Sequence, residues 1–109
     1  MGIRMNYNID ANTELIEKGS HHSESDLARK VDQLAEKIFA EEYVGFRVGS
    51  VIKHFLEKAQ QKDMSLTVLD LYHCLSENED AKVELPAETN IDRKHIDPVL
   101  RRLVPVIGN

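Results

Sequence analysis

Leu27, Val31, Leu34 and Ile38 recur at spacings of four, three and four directly behind a Ser23-x-x-Asp26 capping signature. That arrangement admits one local structure, an amphipathic helix with a buried stripe. Ala28, Ala35 and Phe39 widen the stripe, and Gly45 supplies a stop, so the spacing predicts a helix over about 24–43. Asp26 and Lys30 add an oppositely charged pair four residues apart. Glu41 and Glu42 fall in the last turn, where the helix dipole disfavours anions, and so mark fraying or contact with a basic partner.

The same period returns twice more. Phe46, Val48, Val51, Ile52, Phe55, Leu56 and Ala59 predict a second helix ending near Gln61, whose other face holds Arg47, Lys53, His54 and Lys58. Asp63-Met64-Ser65 reads as a turn. Thr67 to Asp70 repeats the capping pattern ahead of Val68, Leu71, Tyr72 and Leu75, which gives a third helix over about 66–77. Thr89 and Asn90 offer caps for a short helix over about 90–96. Proline then removes a backbone donor and biases the residue before it away from helix, so Asp97-Pro98 reads as a break and a fresh start carrying Val99, Leu100, Leu103 and Val104 inward until Pro105.

Two stretches lack the helical period. In residues 1–22, Ile3, Tyr7, Ile9, Leu15 and Ile16 are scattered among polar residues, so this part reads as a flexible N-terminal arm. Residues 76–90 hold five acids against one lysine, and Ala81, Val83 and Leu85 alternate with Lys82 and Glu84 as in a short strand. The expected fold is therefore mainly α: one helical domain over 23–109, a compact irregular or orthogonal bundle of four or five helices. It has at most one short strand, in the acidic connection, and ends in a helix-turn-helix-like pair.

A chain of 109 residues and 12.4 kDa holds one domain of this kind. Its apolar runs are only a few residues long, far short of the roughly 20 that cross a bilayer. The first residues form no apolar signal segment behind Arg4, Asn6 stands where a myristoylation pattern wants Ser or Thr, and no prenylation cysteine closes the chain. A cytoplasmic location without membrane contact is the expectation. Cys74, the single cysteine, permits no internal disulfide and reads as a small buried hydrophobe on a helix.

The residue patterns exclude more chemistry than they suggest. Gly45 and Gly49 lack the Lys-Ser/Thr of a phosphate loop, and His21, His22, His54, His73 and His95 do not take up metal-site spacing with Cys74. Adjacent His73 and Cys74 diverge by about 100° on a helix, which denies the thiol a base. Carboxylate pairs such as Glu41-Glu42 and Glu79-Asp80 fall at helix ends or in loops, where acids are ordinarily solvated. No catalytic residue, metal or cofactor is expected.

What remains is interaction. The reading taken is a small non-enzymatic regulator or adaptor working through protein contacts, with a protein partner or a second copy of itself as a homodimer. Leu27, Val31 and Phe39 on the first helix offer a seam, and the acidic stretch offers Glu79, Asp80 and Val83 to a basic partner. Its rival is a small helix-turn-helix DNA-binding regulator of transcription, replication or partition, in which Arg93 and Lys94 position phosphates and Arg101 or Arg102 reaches guanine edges. A formal charge of -5 weighs against the rival, since nucleic acid selects basic surfaces.

Overall fold

The computed structural model describes residues 9–39, 46–85 and 93–108. Ser23 starts the first helix as its sequence predicts. Its hydroxyl accepts the Asp26 N–H at 3.2 Å and its carbonyl accepts the Leu27 N–H at 3.0 Å, so α1 runs Glu24–Phe39. Asp26 pairs with Arg29 at 3.5 Å, three residues on, rather than with Lys30. Glu41, Glu42 and Gly45 lie outside the described residues.

The second helix, α2, runs Phe46–Gln61 and ends in a Schellman motif. Met64 N–H reaches the Ala59 carbonyl and Asp63 N–H the Gln60 carbonyl, both at 3.0 Å, with Asp63 in the left-handed region at φ 51°. A left-handed position usually goes to glycine; an aspartate here has a second use. Its Oδ1 accepts the N–H of Gly19, itself at φ +83°, at 2.7 Å.

Thr67 and Asp70 form the capping box of α3 (Val68–Ser76): the Thr67 hydroxyl accepts the Asp70 N–H at 3.1 Å, and Asp70 Oδ2 accepts the Thr67 N–H at 2.9 Å. The two N–H groups this box cannot reach find partners far away in sequence. Val68 N–H donates to the Thr13 carbonyl and Leu69 N–H to the Ala11 carbonyl, each at 3.0 Å. Thr13 is presented by a turn in which Asp10 Oδ1 accepts the Asn12 N–H at 2.8 Å and the Asp10 carbonyl accepts the Thr13 N–H at 3.1 Å.

That contact overturns the reading of residues 9–22 as a free arm. β1 (Glu14–Ile16) pairs antiparallel with β2 (Leu66–Thr67), Ile9 and Ile16 are buried, and the Gln60 amide both accepts the His22 N–H at 2.7 Å and donates to the His22 carbonyl at 3.1 Å. Burial of Ile9 and Ile16 and these hydrogen bonds favour the ordered segment over a solvated one. Among the described residues the sheet is this one pair. Ala81, Val83 and Leu85 form no strand, and the expected single strand is replaced by two that flank α1 and α2 in sequence.

The last helix, α4 (Arg93–Ile107), passes through Pro98 and Pro105 without a break, so the expected helix-turn-helix pair is a single helix. Seven residues are about two turns, which puts both prolines on one line with Lys94 and Arg101, all exposed, opposite the buried line Ile96, Val99, Leu103 and Val106. Each proline removes one helical N–H on the water-facing side, where solvent serves the backbone. Four buried side chains at about 1.5–3 kcal/mol each match or exceed two interruptions of about 3 kcal/mol each. Thr89 and Asn90, expected as caps, lie outside the described residues.

The result is mainly helical, with four helices among the described residues packed on one core. α1 lies on α2 and α4, α3 on α4 and α2, and the strand pair on α2 and α3. Phe55, with no exposed surface, sits in that core with Leu56, Leu66 and Leu75. No described helix is long and apolar enough to cross a membrane.

Candidate functional site

The segment after α3 is acidic, and its own hydrogen bonds fix its course. Glu77 takes φ 55°, so its N–H turns back to the Cys74 carbonyl and the Asn78 N–H to the His73 carbonyl, both at 3.3 Å. Asn78 then organises the next turn: its Oδ1 accepts the Asp80 N–H at 2.9 Å, its carbonyl accepts the Ala81 N–H at 3.1 Å, and its Nδ2 donates to Ser76 Oγ at 3.2 Å. Lys82 closes the loop. Its Nζ donates to Asp70 Oδ2 at 3.1 Å, tying the loop to the capping box of α3.

The closed loop encloses an open pocket of about 370 Å³. Glu77, Asn78, Glu79 and Glu84 line it together with Ala81, Val83 and Leu85, with Cys74 at its base, and the surface open to it is mostly polar. Val83 is buried at 2% exposure, while Glu79, Asp80 and Glu84 are exposed and take no ion pair among the described residues. The carboxylates of Glu79 and Glu84, beside the partly exposed Ala81 and Leu85, suit a cation on an aliphatic stem.

The thiol at the base is poorly placed to react. Burial raises the Cys74 pKa above its ordinary value, and the backbone N–H groups of Val83 and Lys82, which point at it, only partly oppose this. Asp70 goes the other way. Burial works to raise its carboxyl, but the Thr67 N–H, the Lys82 ammonium and the Thr67 hydroxyl outweigh burial and hold it below its ordinary value. His54 on α2 stands near the far end of the loop. Burial and the Lys58 ammonium lower its pKa, against smaller opposing effects from Glu57 and the backbone carbonyl of Glu84.

The residues expected to bind partners separate into groups. Leu27 and Val31, at 2% and 8% exposure, are consumed by the core, so α1 offers no seam at those positions; Phe39 ends α1, and its side chain lies outside the described residues. Val83 is likewise buried and not an exposed strand for a partner sheet. Glu79 and Asp80 remain on the surface of the loop. On α4, Lys94 and Arg101 share the outermost line, Arg102 is half-buried beside it, and Arg93 is the first helical residue, its side chain outside the described residues. Without the break at Asp97-Pro98, these four are not divided between a positioning helix and a recognition helix.

The acidic stretch was visible in the sequence, but the parts played by Cys74, Glu77, Glu84 and Leu85 were not, because loop closure by Asn78 and Lys82 brings them together. Among the described residues, no three His, Cys, Asp or Glu side chains are arranged to hold a metal ion. Compared with protein families, curated proteins and solved structures, the chain matches none of them.

Proposed function

We propose that this chain is a small cytoplasmic regulator or adaptor that acts without catalysis, docking on a protein partner through the acidic pocket above Cys74. The observation that carries the reading is the combination of a hydrogen-bonded loop with carboxylates at Glu79 and Glu84 that no lysine or arginine among the described residues neutralises. A preorganised loop spends little entropy on binding, and the lysine or arginine of a partner supplies the missing charge.

The test is fluorescence anisotropy of a labelled lysine- and arginine-rich peptide titrated with the protein at two salt concentrations. Binding that weakens with salt and is lost in a Glu79→Lys, Glu84→Lys double variant supports the reading; binding that ignores the double variant sinks it. The DNA-binding rival keeps one observation in its favour, the shared outer line of Lys94 and Arg101 on α4. A labelled random duplex in the same assay separates the two readings. Salt-sensitive duplex binding at about 10⁻⁴–10⁻⁶ M, removed by Arg101→Ala with Arg102→Ala, puts the rival first.

A further inference from the structure

The pocket asks for a cation on an aliphatic stem, and the chain itself carries one in the right setting. Arg101 is exposed on the outermost line of α4, opposite the buried line of Ile96, Val99, Leu103 and Val106. One turn on, Val104 is the large hydrophobic side chain that stands 52% in water among the described residues, and Leu100 and Ile107 beside it are only partly buried. This face of α4 is therefore basic and apolar at once, and the described residues leave Val104 half in water. The pocket carries the opposite charge at Glu79 and Glu84, with Ala81 and Leu85 partly exposed beside them.

We propose that the outer face of α4 of one copy docks on the acidic pocket of a second copy, with Arg101 at the Glu79–Glu84 rim and Val104 beside Ala81 and Leu85. The proposal rests on the reading of the pocket as a receptor for a basic side chain and names a second copy as the partner. Because each copy carries both surfaces, the contact closes into a two-fold dimer when it is reciprocal and extends into an open chain when it is not. The net charge of -5 on each copy opposes association. At physiological ionic strength that repulsion is screened beyond about 8 Å, whereas charges in direct contact are screened much less.

Sedimentation equilibrium of the full chain, from micromolar to about 1 mM at physiological salt, tests this. The weight-average mass is expected to rise from 12.4 kDa toward twice that value or beyond. Arg101→Glu alone, and Glu79→Arg with Glu84→Arg alone, each return it to the monomer, while both keep the circular dichroism of the parent. An equimolar mixture of the two variants restores the higher mass, because each supplies the charge the other has reversed. A monomer at every concentration overturns the proposal, as does a mass unchanged by either variant or a mixture that stays monomeric. Titrating the Arg101→Glu protein with the basic peptide separates this from the underlying reading. Peptide binding by that protein, in a chain that never self-associates, leaves the pocket a receptor for another partner; no binding removes the receptor itself.

Discussion

The N–H of Val68, first residue of α3, donates to the carbonyl of Thr13 at 3.0 Å, so a helix in the second half of the chain is capped by a segment from its beginning. Leu69 repeats the arrangement with Ala11, and Ile16 drives its side chain into the core at 1% exposure. The N-terminal segment thus supplies both hydrogen-bond acceptors and apolar bulk to the fold. Ile16→Ala is expected to lower stability by about 2–4 kcal/mol, since it removes a buried branched side chain that its surroundings cannot fully replace. A free arm predicts a change near zero. Urea denaturation followed by circular dichroism decides between them.

One carboxylate oxygen, Asp70 Oδ2, serves both the Thr67 N–H and the Lys82 ammonium. Asp70→Ala therefore costs the cap, about 1–2 kcal/mol, and releases the loop as well. Lys82→Met removes only the tether, whose lysine side chain is 40% exposed, and is expected to cost under about 1 kcal/mol. The pair of variants separates cap from tether: both loosen hydrogen-exchange protection at Asp80 and Ala81, and only the first destabilises α3.

The three helices that the sequence predicted correctly are those whose signals are local. Ser23 and Asp26, and Thr67 and Asp70, sit within one turn of each other, and the apolar period of α1, α2 and α3 continues without interruption. β1 and β2 were invisible for the opposite reason: three residues and two residues carry no period, and their pairing depends on segments distant in sequence meeting in the fold. Pro98 misled because local preference was weighed without its partner. With Pro105 two turns away, both prolines fall on the side that needs no contacts, and the buried line of α4 decides the helix. At the site, acidity was legible residue by residue, but the pocket arises from the left-handed turn at Glu77, which no glycine announces.

Acid weakens the fold in two stages. The folded-state pKa of His54 lies below its ordinary 6.5, so the unfolded chain binds the proton more readily. Its contribution is fully present above pH 6.5 and is lost as the pH falls from there through the lowered folded value. Asp70, depressed from 3.8, contributes above that pH and loses its share as the pH drops further. Melting temperature measured against pH should show a decline below pH 6.5 that His54→Gln flattens, and a second below pH 3.8 that Asp70→Asn flattens. A profile that His54→Gln leaves unchanged between pH 6.5 and 5 refutes the first assignment.

Leu34, at 3% exposure on the inner face of α1, tests whether that helix is integral. Leu34→Asp places a carboxylate among apolar side chains, in a core that holds no buried polar or charged residue among the described residues. The cost of several kcal/mol is comparable with the whole stability of a domain this size, about 5–15 kcal/mol. Loss of the cooperative thermal transition is expected; a transition near that of the parent makes α1 peripheral.

Pro98 and Pro105 lie on the line of α4 that faces water, where neither packs into the core. Pro98→Ala restores a helical N–H and relieves the clash with the preceding turn, which on propensity alone favours the helix by up to about 3 kcal/mol. Part of this is offset because proline also restricts the unfolded chain, a restriction the alanine lifts. The net gain expected is therefore smaller, about 1 kcal/mol, read as a higher urea midpoint with an unchanged slope. Val99→Ala, one residue along but on the buried side, should instead cost about 1–3 kcal/mol for the methyl groups and cavity it leaves. Opposite signs at adjacent positions follow from one continuous helix. If Asp97-Pro98 were a turn between two short helices, the proline would fix the backbone at the start of the second, and Pro98→Ala would lower the midpoint instead.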